Sequence, residues 1–241
     1  MTSTQNTDVP SAPRARTRQQ AFVAHMVRVA ATDPGARAAL RGGVRRGLNE
    51  RRLREMDRIV VPWLPERETL TDDIERAYYA VASMIGATSS RTVAESPDEP
   101  PAKAPPGEPV PAEGSPQRDR TAAPRYGTSL GVAFALAVTG GRGGREMREA
   151  TAESRLNLLT RQSLTGLHRH LPGSVGYLRE LDVEIDWAQL LSDLSAWRGH
   201  RGRIARRWLQ DYYRLRDQHK QLKAQQMDAA GETDEEPAPE E

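Results

Sequence analysis

Two histidines, a run of carboxylates, a glycine-rich loop and a large complement of arginine are the features of this 241-residue chain whose types and spacing could support chemistry. His168 and His170 lie on a segment of helical period, so their side chains point about 200° apart and cannot share a metal from that helix alone. Asp72, Asp73 and Glu75 could ligate a cation, but they open another helical segment, where the positive end of the helix already accounts for acidic residues. The run Gly140, Gly141, Arg142, Gly143, Gly144, Arg145 is only loosely like a phosphate loop. It lacks the Gly-Lys-Ser/Thr ending and a preceding strand, which argues against ATP hydrolysis. With no cysteine there is no disulfide, thiolate nucleophile or thiolate metal site. These residues point to no catalytic site, no metal, no cofactor and no enzyme.

The arginines are more informative. The formal net charge of +2 averages segments of opposite sign. The first 13 residues, an acidic Pro-rich stretch from Glu95 to Asp119 and an acidic tail from Asp228 hold few bases. The other 189 residues carry 33 basic and 19 acidic side chains. An excess of that size suits a polyanionic partner. Three concentrations supply it. Over 202–225, a helical wheel gathers Ile204, Trp208, Tyr212, Leu215 and Leu222 on an apolar side. Arg203, Arg206, Arg207 and Arg214 lie opposite, with Asp211 and Asp217 as the nearest acids in sequence. Between Arg14 and Arg58, Arg37, Arg41 and Arg45 recur every four residues, so like charges repel along one face unless a polyanion relieves them. The third group is Arg142, Arg145, Arg148, Arg155 and Arg161, on the glycine loop and the helix behind it. Guanidinium groups match phosphate geometry. No aromatic residue interleaves with these faces as a base-stacking platform requires, so sequence-independent contact with a phosphate backbone is expected.

The elements that must position these arginines are all helical in period, and none shows sustained alternation. The spacing predicts an all-α protein of two small helical bundles joined by a disordered Pro-rich linker. The expected divisions are a disordered N-terminus at 1–15, an N-terminal bundle at 16–86, an acidic linker at 87–125, a C-terminal bundle at 126–226 and a disordered acidic tail at 227–241. The linker holds eight prolines between Pro97 and Pro116 and too little apolar surface to order itself. Asp33-Pro34, Asp72 with Glu75, Thr128 and Asp186 are the expected helix caps. Pro172 and Gly173 are expected to stop the helix that carries Leu164, Leu167 and Leu171. A separate last helix is expected from about Gly202 to Gln225. No apolar window approaches a membrane span and no secretory segment opens the chain, so a cytoplasmic location is expected.

The order of segments resembles CasB, the small subunit of the type I-E CRISPR effector complex Cascade. The resemblance covers about residues 18–86 and 126–222. It rests on Ala39-Leu40-Arg41-Gly42-Gly43, Ser129-Leu130-Gly131, and Glu153-Ser154-Arg155-Leu156 with Leu158, Leu159 and Arg161. Asp186-Trp187-Ala188-Gln189-Leu190-Leu191-Ser192-Asp193-Leu194 and Arg207-Trp208-Leu209-Gln210-Asp211-Tyr212-Tyr213 complete it. It implies a helical, non-enzymatic subunit. Two copies would pack head to tail beside the CasC backbone subunits, contact the large subunit CasA, and hold crRNA and unwound target DNA to stabilise the R-loop. On matching positions it points to Arg41, Arg155 and Arg161, and more loosely to Arg203, Arg206 and Arg207. Basic residues common in the family are replaced here by Gly42, Ser154 and Val132, with Arg45, Arg46 and Arg148 near enough to stand in. The alternative is a free-standing DNA-binding regulator in which Pro172 and Gly173 form the turn of a helix-turn-helix.

Overall fold

The computed structural model describes residues 12–45, 53–87, 127–140 and 145–232, and within them the chain is all-α. Eight helices follow in order. They are α1 (Ala12–Thr32), α2 (Pro34–Gly42), α3 (Arg54–Val60), α4 (Asp72–Gly86), α5 (Leu130–Val138), α6 (Glu149–Thr160), α7 (Leu164–Glu180) and α8 (Trp187–Glu232), with a 3-10 turn at Val61–Trp63. None of the described helices is long and apolar enough to cross a membrane. The expected linker falls almost wholly in 88–126, outside the described residues, as do Arg46 and Arg142.

Local chemistry sets most of the boundaries. Asp33 keeps an extended backbone and accepts from the Ala36 N–H at 2.9 Å, with Pro34 opening α2. Asp186 accepts from Gln189 N–H at 2.8 Å to start α8, and its other oxygen accepts from Thr128 N–H at 3.1 Å, tying that start to the entry of α5. Two caps lie one residue from their expected positions. Thr71, not Asp72, opens α4, and Ser129, not Thr128, opens α5. Each keeps an extended backbone and accepts from the N–H three residues on, Ile74 at 3.3 Å and Val132 at 3.4 Å. Helix α1 begins at Ala12 rather than at 16, with Pro13 in the first turn, where its missing N–H costs nothing.

Helix α7 does not stop at Pro172 but runs through it to Glu180. The lost hydrogen bond is offset by burial: Leu167, Leu171, Val175 and Leu178 form one continuous stripe, each at most 2% exposed, which an interruption would expose. The helix-turn-helix alternative thereby loses its turn. The expected helices around Trp187 and after Gly202 are likewise one element, α8, bent at His200, whose φ −131° and ψ 19° leave the helical region. Helix α8 runs to Glu232, past the expected start of a disordered tail at Met227. Leu222, expected on the buried side, is 57% exposed.

The bend lets α8 fold its own tryptophans together: Trp197 before it and Trp208 after it have ring centroids 5.1 Å apart, and both are buried. Helix α5 crosses so close behind that a Cβ on Gly131 would lie 1.8 Å from the Trp208 carbonyl oxygen. The glycine of Ser129-Leu130-Gly131 is therefore fixed by backbone approach. Helix α4 from the first sequence block packs on α8 from the second, and Phe22, Tyr78, Phe134, Leu191 and Trp208 belong to one contiguous core.

Candidate nucleic-acid interface

Where the two sequence blocks meet, arginines far apart in sequence converge. Arg45 follows α2 in the left-handed region, φ +63°, a conformation that costs a non-glycine residue roughly 1–2 kcal/mol. Its side chain crosses to α7, where the Cβ that Gly173 lacks would sit 3.0 Å from Nη2. Gly173 therefore makes room for Arg45 instead of ending a helix. Helix α6 contributes Arg155, whose guanidinium carbon stacks 4.7 Å above the Tyr177 ring of α7. Arg45, Arg155, Arg169 and His170 line an open cleft of about 830 Å³. A smaller pocket of about 420 Å³ between α4 and α7 shares Arg45 and Arg169 and adds Arg76 and His168. Among the described residues, no carboxylate lines either cavity.

The electrostatics favour an anion. Four guanidinium groups converge with no acid among the described lining residues, so the local field attracts phosphate. His168 is buried, and burial, with the neighbouring Arg76, pushes its pKa down to about 4. It is therefore a neutral imidazole near neutral pH. His170 is exposed, and the described residues hold no cluster of side chains able to bind a metal ion.

Sequence-expected site residues divide into those this geometry gathers and those it does not. Arg45 and Arg155 meet in the cleft. Arg41, Arg145, Arg148 and Arg161 are exposed but line neither cavity. Arg203 and Arg206 are exposed on α8 beyond the bend. Arg207 differs from the rest of its expected face. It pairs with Asp193, which is 3% exposed and also accepts from Trp208 Nε1 at 2.7 Å and Gln189 Nε2 at 2.8 Å. Arg198 likewise meets Asp73 of α4, its Nη2 donating to Oδ1 at 2.8 Å. The arginines of α8 thus find acids on distant turns and other helices, beyond the Asp211 and Asp217 that sequence proximity suggests. Arg76 and Arg169 went unnoticed in sequence because each is isolated there, one behind the acids of α4 and one between two histidines; only the packing of α4 on α7 brings them together.

Chains of known structure share this architecture. A chain of a structure described as a CRISPR RNA-guided surveillance complex is 32% identical with a TM-score of 0.65, the match covering 86% of this chain and 98% of that one. A chain of such a complex in a pre-nicking state is 30% identical with a TM-score of 0.68 over the same shares. CasB from M. ruber, 21% identical with a TM-score of 0.58, matches in fold over 85% of this chain and 97% of its own. No curated protein matches the sequence. The family model described as CRISPR-associated protein Cse2 matches residues 36–213, most of the chain, which therefore belongs to the Cse2 (CasB) family.

Proposed function

We propose that the chain is the non-catalytic small subunit of a cytoplasmic crRNA-guided antiviral effector complex, and that its basic cleft holds crRNA and target-DNA backbone and stabilises the R-loop. The carrying observation is the convergence of Arg45, Arg76, Arg155 and Arg169 from both sequence blocks, with no acid among the described lining residues. Two similar chains come from RNA-guided surveillance complexes, which supports the assignment. A second copy of the chain, CasC-type backbone subunits and a CasA-type large subunit are the proposed neighbours. In such an assembly base pairing reads sequence, and the small subunit supplies positive charge that offsets repulsion between closely placed strands. Exposed Arg203 and Arg206, with Arg201 beside the bend, form a second basic surface suited to the same task. Assembling the complex with and without this chain tests the reading. Omission is expected to weaken target binding while leaving crRNA-directed sequence preference intact; unaltered affinity would reject it.

A further inference from the structure

The two cavities differ in chemistry as well as size. The outer cleft is open and basic. The inner pocket, about 420 Å³, has a floor and walls of Leu53, Tyr79, Ala80 and Pro172, with Arg45, Arg76 and Arg169 around it. Leu53 and Tyr79 are nearly fully buried, and the Tyr79 ring is fixed by its hydroxyl, which donates to Asp57 Oδ1 at 2.7 Å. Phosphate alone would use only the arginines and leave these apolar walls without an occupant. A nucleotide uses both, because its base has flat apolar faces while its phosphate is anionic. Arg45 and Arg169 belong to both cavities, so a strand whose phosphates sit on them carries a base beside the inner pocket. The volume lies within the roughly 300–1,000 Å³ of pockets that enclose small ligands.

We propose that the pocket between α4 and α7 receives one unpaired nucleobase of a strand whose backbone lies in the outer cleft. The ligand is then a single strand with a splayed base; a duplex, whose bases are stacked and paired, cannot offer one. The neutral side chain of His168 in the pocket lining suits an uncharged base better than a second phosphate. This inference rests on the cleft as a polynucleotide site.

Fluorescence anisotropy of the full-length chain tests it with three probes of roughly 15 nucleotides, about one single-strand site. These are a single-stranded DNA, a strand of equal charge with abasic residues throughout, and the duplex. The base-bearing single strand is expected to bind at least about fivefold tighter than the abasic one, the lower end of what one stacked base contributes. Ala80→Phe, which fills the pocket while keeping all three arginines in the chain, is expected to erase that ratio and leave the salt dependence of abasic binding unchanged. Equal affinity of wild-type protein for the two strands, which needs no variant, would overturn the base pocket, as would a preference that survives Ala80→Phe. Binding of every probe that ignores salt would instead overturn the cleft reading beneath it.

Discussion

The guanidinium of Arg45 lies against the face of Gly173, close enough that a Cβ there would come within 3.0 Å of Nη2. One residue follows α2 and the other lies inside α7, so this approach joins the two sequence blocks at the cleft. Because Gly173 is helical and only the mobile end of an arginine opposes it, Gly173→Ala is expected to leave stability unchanged or raise it by up to about 1 kcal/mol. Gly173→Leu is expected to push Arg45 from the cleft and weaken polynucleotide binding severalfold at unchanged helical content. Circular dichroism melts paired with binding titrations check both.

Arg207 and Asp193 supply a contrasting expectation. The buried carboxylate has three donors, and only one is a cation. Arg207→Ala should destabilise the protein by about 3 kcal/mol, the cost of leaving a buried charge without its partner. Arg203→Ala and Arg206→Ala, at exposed positions, should stay within about 0.5 kcal/mol of wild type. Denaturant unfolding of the three variants separates a structural arginine from two surface ones.

The glycines of α5 and α8 should respond in opposite directions. A Cβ at Gly202 meets nothing within 4 Å, so Gly202→Ala should stabilise α8 by up to about 1 kcal/mol. At Gly131 the same atom would meet the Trp208 carbonyl oxygen at 1.8 Å, and Gly131→Ala should cost several-fold more than that gain or prevent folding. Thermal melts decide both signs.

His168 makes stability depend on pH. Its folded pKa, about 4, lies below its ordinary 6.5 because of burial and Arg76, so the unfolded chain takes up the proton first as pH falls. The group's contribution is level above about pH 6.5 and declines towards pH 4. Between pH 6.5 and 4.5 the wild type should lose about 2 kcal/mol more than His168→Leu, measured by urea unfolding at each pH.

Much of the fold was legible in sequence because it depends on local signals. The Asp33-Pro34 and Asp186 caps, and the stripe of Leu190, Leu191, Leu194 and Trp197, require only neighbours within a few turns. What was not legible depends on tertiary contact. Pro172 reads as a helix stop until burial of Leu171, Val175 and Leu178 is set against one lost hydrogen bond. Arg207 reads as a free cation until Asp193, a full bend of α8 away, comes beneath it. Arg45 and Arg155 were legible as basic residues, but their meeting was not, nor was the part of Arg76 and Arg169, since no sequence period relates residues on four different elements.

The salt dependence of target binding by the reconstituted complex, with Arg45, Arg155 and Arg169 all changed to Ala, tests the central claim most directly. At about 0.7 units per single-strand phosphate contact, the slope of log affinity against log salt should fall in magnitude by about 2 units, with affinity weakened most at low salt. An assembled complex whose slope and affinity match wild type would contradict the assignment of this cleft to the nucleic-acid backbone.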